Sequence, residues 1–211
     1  MRLRCRLCWA LVGALAGPGP GAAPPSPDVR LLRPKMSFAQ AARPYQGLRY
    51  DLGGYVGADG KVRRGGLGCS AYTSAVLHRM RDGEGWLARY NLSVHQWYGE
   101  RAAEHFGLVK AGRFASADLL DARRTRALIA EGKLRPGALY YFNARRGKNG
   151  HVGFVRVGAA GELEQSHYSS IVGKLYTGDY RGWLRASLYR TAAVELYAVP
   201  EPARKAGQAK P

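Results

Sequence analysis

The spacing of hydrophobic positions changes midway along the chain. As far as Gly132 they recur every three or four residues, the signature of helices with one apolar face. Ser37 is placed to cap a short helix through Ala42 that stops before Pro44. Cys69 opens a helix-compatible run that ends near Asp82-Gly83, with Tyr72, Ala75, Val76 and Met80 on one face. Ser93-Val94-His95-Gln96 has the form of a capping box. It starts a helix whose face carries Val94, Trp97, Tyr98, Ala102 and His105 or Phe106, with Gly107 at the stop. A further helix is predicted from Ser116, carrying Leu119, Leu120, Leu128 and Ile129 and ending at Gly132.

Beyond Pro136-Gly137 the runs become short, aromatic and β-branched, and turns separate them. Strands are predicted over 138–142, 151–157 and 162–169, with a basic turn over 143–150 and a hairpin turn over 158–161. Further strand-prone runs cover 174–176, 184–190 and 193–199. Residues 45–55 and 57–66, rich in Tyr and Gly, read as loops. Helices followed by an antiparallel meander place the chain in the α+β class.

A length of 211 residues fits one domain with tails. The formal charge of +18 sets the chain apart and implies attraction to an anionic surface. Its arginines are scattered and do not concentrate on one helix, so specific nucleic-acid binding is not expected. The first 23 residues read as a signal peptide: Arg2, Arg4 and Arg6, then the short apolar run 8–17, then small and turn residues, with cleavage expected near Ala22 or Ala23. The apolar run is too short for a transmembrane helix. Secretion or a periplasmic location follows, with a Pro-rich linker over 24–36 and a disordered tail over 201–211. Cleavage removes Cys5 and Cys8 and leaves Cys69 as the sole cysteine, which in an exported chain is either paired to another chain or kept for reactivity.

Cys69 follows the glycine-rich stretch Arg64-Gly65-Gly66-Leu67-Gly68 and stands at a predicted helix N-terminus. Unpaired N–H groups and the helix dipole there favour thiolate, the nucleophilic form. A cysteine nucleophile needs a base, and the base needs an orienting partner. His151, at the start of a strand, is the candidate base. Alternation on the next strand puts Leu163, Gln165 and His167 on one face, so that Gln165 or His167 can hydrogen-bond the imidazole, with Glu162 and Glu164 on the other face. His78, His95 and His105 lack metal-site spacing, the glycine loops lack a phosphate-binding pattern, and no Gly-x-Ser-x-Gly elbow occurs. Neither metal nor cofactor is expected.

Three blocks together resemble the NlpC/P60 cysteine peptidases: Gly68-Cys69-Ser70-Ala71; Leu134-Arg135-Pro136-Gly137-Ala138-Leu139-Tyr140-Tyr141-Phe142; and Gly150-His151-Val152-Gly153-Phe154-Val155. The resemblance covers roughly residues 45–168. It implies an NlpC/P60-like catalytic domain over 37–200, with a papain-like core in which the cysteine helix packs on an antiparallel sheet. It implies hydrolysis of peptide or amide bonds in peptidoglycan stems, with Cys69 as nucleophile, His151 as base, and Gln165 or His167 as third residue. It also implies Tyr50, before Gly53-Gly54, and Ser70 on the oxyanion and substrate side. The implied partner is peptidoglycan or another anionic wall polymer, and the implied state is a monomer. Whether an inhibitor or immunity protein exists is not implied. Gly68, Ala71 and Ala138 depart from the family's usual Asp, Gly and Asp, which bears on substrate and subfamily. Two alternatives share the scaffold: an inert wall-binding module and a cysteine acyltransferase.

Overall fold

In a strand, successive side chains leave opposite faces, and a long central strand can therefore serve two cores at once. That is how the computed structural model of this chain is organised; it describes residues 31–51, 54–57, 61–83, 99–145, 148–169, 173–186 and 193–202. The leader and its cleavage site, the capping box at Ser93, the run 187–192 and the tail 203–211 lie outside the described residues.

Helix α1 (Phe38–Ala42) begins at Ser37, and the predicted cap is present in both directions. Ser37 Oγ accepts from the Gln40 N–H at 3.3 Å, and Gln40 Oε1 accepts from the Ser37 N–H at 3.0 Å. A single 3-10 turn (Arg43–Tyr45) then carries Pro44. Four two-residue strands follow: β1 (Arg49–Tyr50), β2 (Tyr55–Val56), β3 (Val62–Arg63) and β4 (Gly66–Leu67). Helices α2 (Cys69–Asp82) and α3 (Gly99–Phe106), strand β5 (Val109–Ala115) and helices α4 (Ser116–Leu120) and α5 (Ala122–Ala130) complete the first half. The second half is β6 (Gly137–Arg145), β7 (Lys148–Val157), β8 (Leu163–Ser169), β9 (Lys174–Asp179), α6 (Tyr180–Ala186) and β10 (Ala193–Ala198).

The large sheet has the order β4-β1-β9-β8-β7-β6-β10-β5, and β2 pairs with β3 separately. Every neighbour in the large sheet is antiparallel except β1 with β4. The α+β expectation therefore holds. One face carries Tyr140, Val152, Phe154 and Tyr197, and α2 and α3 cover it with Ala71, Tyr72, Ala75, Val76, Met80, Ala102 and Phe106. The other face carries Leu139, Tyr141, Val155, Val157, Leu163, Val194 and Leu196, packed with Leu119, Tyr180, Trp183 and Leu184. Each large apolar side chain so buried contributes about 1.5–3 kcal/mol.

The structure corrects the sequence reading in several places. The helix expected from Ser116 to Gly132 is two helices. Asp121 takes an extended conformation, and its carboxylate accepts the N–H groups of Arg123 at 2.7 Å and Arg124 at 3.3 Å, which ends α4 and caps α5. Gly132, at φ 70°, supplies the expected stop. The run read as a strand from residue 184 starts inside α6, whose N–H groups at Arg181 and Gly182 are held by the Asp179 carboxylate at 3.0 and 2.8 Å. Strand β5 has no alternating apolar signal because it is the exposed edge of the sheet. In the segment read as linker, Leu32 is buried in the core and its N–H donates to the Gly107 carbonyl at 3.1 Å.

The glycine-rich stretches read as loops contain the two-residue strands β1 to β4, and their backbones come into close contact. A Cβ on Gly54 would stand 2.0 Å from the Gly66 carbonyl oxygen, and one on Gly66 would stand 2.2 Å from the Arg49 carbonyl oxygen. Gly65, in the turn at φ 78°, faces open space. Gly66→Ala is therefore expected to cost about 2–4 kcal/mol, whereas Gly65→Asn, which suits a left-handed turn, is expected to stay within about 1 kcal/mol. Urea denaturation of the two variants checks this; equal stability would mean that the contact can relax.

Candidate active site

Cys69 opens α2, and the backbone alone prepares its environment: Gly68, the N-cap, offers no side-chain cap. The backbone N–H groups of Val152, Ser70 and Cys69 itself lie near enough to the sulfur to favour its ionised form. The Val152 N–H belongs to the peptide joining His151 to Val152, so the thiol lies near the backbone of the candidate base. Pairing between β7 and β8 ends in this direction at Phe154 and Ser166. Val152 lies beyond the end of that ladder.

His151 leaves β7 on the face opposite α2. Its ring lies 4.6 Å from that of His167, nearly perpendicular, 5.2 Å from Trp183 and 6.0 Å from Tyr141, measured between centroids. His167 also packs on Trp183 at 4.7 Å. Both histidines are buried. The alternation predicted for this strand is present: Leu163, Gln165 and His167 are buried, and Glu162 and Glu164 are exposed. Of the two candidates for the third residue, His167 is the one beside His151. Gln165 stands opposite Val155, one pleat further along, and its Nε2 donates to the Asp179 carbonyl at 3.4 Å.

Tyr50 is half-buried on β1, paired in parallel with Leu67, two residues ahead of Cys69. Ser70 is half-buried in the first turn of α2. Its carbonyl accepts from Thr73 Oγ1 at 3.1 Å. A groove of about 1170 Å³ opens between α1 and strands β7 to β9, lined in part by Phe38, Tyr72, Phe154 and Ser166, with Tyr72 Oη and Ser166 Oγ 2.8 Å apart. Neither Cys69 nor His151 lines it. Among the described residues no group of three His, Cys, Asp or Glu is arranged to hold a metal ion, and no helix is long and apolar enough to cross a membrane.

The electrostatics differ from the expectation for a helix N-terminus. Burial pushes the Cys69 thiol up, and this outweighs the three N–H groups that pull it down. Burial lowers His151 to about 4, and burial with the neighbouring His151 lowers His167 to about 2. In the resting protein the Cys69 thiol and both imidazoles are thus neutral. Desolvation is felt by the whole ionised group, whereas the helix end offers only partial charges.

Three residues of this site escaped the sequence reading. Tyr141 and Trp183 look like ordinary aromatic core, and Gly153 looks like a strand glycine. Gly153 stands opposite Tyr141 in the β6–β7 register. A Cβ there would lie 2.7 Å from Tyr141 Oη and 2.7 Å from His167 Cβ. A glycine within a strand was the available signal, since it often marks a close approach.

Neutral buried histidines make stability depend on pH. An unfolded histidine titrates near 6.5. The folded values lie below that, so stability is fully present above about pH 6.5 and falls as pH drops toward 4, because only the unfolded chain takes up protons in that window. His151 alone accounts for at most roughly 3 kcal/mol of that loss. Urea denaturation at pH 7, 5.5 and 4.5 is expected to show a shallower pH slope in His151→Asn than in wild type; parallel slopes would mean that His151 is solvated.

In comparisons with known proteins, the chain matches no family model, no curated protein and no solved structure.

Proposed function

We propose that the chain is an exported cysteine hydrolase on a papain-like NlpC/P60 core, cleaving peptide or amide bonds in the stem peptides of peptidoglycan. The observation that carries this reading is the packing of Cys69, at the start of α2, against the apolar layer that holds Val152, the residue that follows the candidate base. His167 beside His151 supports the reading further.

In the proposed reaction the substrate carbonyl enters at the sulfur. His151 takes the thiol proton as the carbon–sulfur bond forms, so that thiolate and imidazolium arise together only in the reacting complex. Backbone N–H groups at the start of α2 stabilise the developing oxyanion, with Tyr50 and Ser70 on the same side. His151 returns the proton to the leaving amine. It then deprotonates the water that cleaves the thioester, and the thiol is restored. His167 holds the imidazole in place. The excess of Lys and Arg keeps the enzyme on an anionic wall polymer.

A second reading, an inert wall-binding module, is favoured by one observation: the His151 side chain leaves β7 on the face away from the cysteine helix. Digestion of purified peptidoglycan, read by mass spectrometry of the soluble fragments, separates the two. Wild type is expected to release new amine ends, and Cys69→Ala and His151→Ala to lose at least 10³-fold in rate. Wall binding without fragments would leave the binding module, or an acyltransferase if an added amine acceptor is consumed.

Because the resting pair is neutral, hydrolysis is expected to hold a broad plateau from about pH 5 to above pH 8. Alkylation of Cys69 by iodoacetamide should accelerate only above the ordinary thiol range. An inflection of the alkylation rate below pH 7 would indicate a preformed thiolate and overturn the neutral-pair mechanism.

A further inference from the structure

Tyr141 and His167 belong to strands that are not neighbours: β6 and β8 flank β7. Adjacent strands lie about 4.8 Å apart, so side chains two strands apart meet only if the strand between them presents no side chain. Here the intervening residue is Gly153. Tyr141 stands opposite it in the register, and His167 Cβ would lie 2.7 Å from any Cβ built on it. Across that bare position Tyr141 Oη and His167 Nδ1 form a hydrogen bond, with both residues fully buried.

We infer that Tyr141 is a positioning residue for the proposed reaction: through the bond over Gly153 it holds His167 as the Nδ1–H tautomer, the form in which His167 can orient the base. The inference rests on the hydrolase reading for its catalytic part and for the direction of the bond, and on the structure for the bond itself.

The chemistry runs as follows. A base that is to take the thiol proton keeps a lone pair on one ring nitrogen of His151, so the other nitrogen carries hydrogen and needs an acceptor. A neutral histidine has one acceptor nitrogen. In His167 the Nδ1 position is engaged by Tyr141. With Nδ1–H donating to Tyr141 Oη, Nε2 keeps its lone pair for the base. In the opposite arrangement, with the tyrosine donating, Nε2 would carry hydrogen and His167 would compete with the thiol for the base's lone pair. Which nitrogen of a histidine is protonated is set by the bond the other one makes, so the direction of the bond to Tyr141 decides whether His167 orients or obstructs.

The test has two independent parts. Long-range ¹H–¹⁵N spectra of histidine-labelled protein at pH 7 read the tautomer directly, whatever the substrate. Wild-type His167 is expected to show a protonated Nδ1 and an unprotonated Nε2. Tyr141→Phe, which removes the hydroxyl and keeps the ring, is expected to move the population toward Nε2–H. A wild-type spectrum with Nε2 protonated, or one that Tyr141→Phe leaves unchanged, overturns the inference. The second part measures hydrolysis. Tyr141→Phe is expected to lower kcat about 10-fold with KM within 2-fold. In a His167→Gln background, whose carbonyl oxygen accepts without any tautomer, the same change is expected to have no effect. An equal loss in both backgrounds would make Tyr141 merely structural and overturn the catalytic part. If wild type releases no fragments while the tautomer moves as expected, the hydrolase reading fails and the positioning contact stands. Gly153→Ala is expected to reproduce the spectral change of Tyr141→Phe, because it forces the two side chains apart.

Discussion

The site depends on the alternation of one strand. Val152 and Phe154 of β7 face the cysteine helix, whereas His151, Gly153 and Val155 face α6. The candidate nucleophile packs on one face and its candidate base on the other, and the β7–β8 ladder stops at Phe154, short of His151 and Val152. A shift of one residue in β7 would exchange the faces, burying His151 under α2 and moving Val152 into the aromatic cluster around Trp183. The apolar cost of that exchange on both faces holds the register.

Burial sets the chemistry of the site. His151, His167 and the Cys69 thiol are all neutral in the resting protein because the surroundings that position them also remove water. The positive end of α2 and the nearby N–H groups favour the thiolate, yet burial outweighs them. Their contribution is greatest when negative charge develops during attack, which is when a catalyst needs it. The aromatic rings of Tyr141, Tyr180 and Trp183 pack the back of the histidine pair. They leave each imidazole few orientations.

Glycines do the fine positioning on both sides. Gly54 and Gly66 let backbones come into close contact just ahead of Cys69, and Gly153 lets Tyr141 reach His167 over a strand. In each case the missing side chain permits the approach of groups that any Cβ would separate.

Local features were legible in the sequence. The Ser37 cap, the start of α2 at Cys69 and its end at Asp82, the stop at Gly132, and the shared face of Leu163, Gln165 and His167 follow from nearest-neighbour chemistry and a fixed period, which act within a few residues. What depended on contacts between distant segments was not legible. The edge strand β5 has no apolar alternation, because only one neighbour covers it. The turn of the chain into α6 follows from an Asp179 cap and a packed Trp183, although the residues after it favour strand. The choice of His167 over Gln165 beside His151, the ring of Tyr141 over Gly153, and the rise of the thiol pKa all required the register of three strands and the exclusion of water. Sequence alone determined which residues carry reactive atoms and which faces they share. Tertiary structure decided which of those atoms meet and in what charge state, because distance and desolvation are properties of the packed chain.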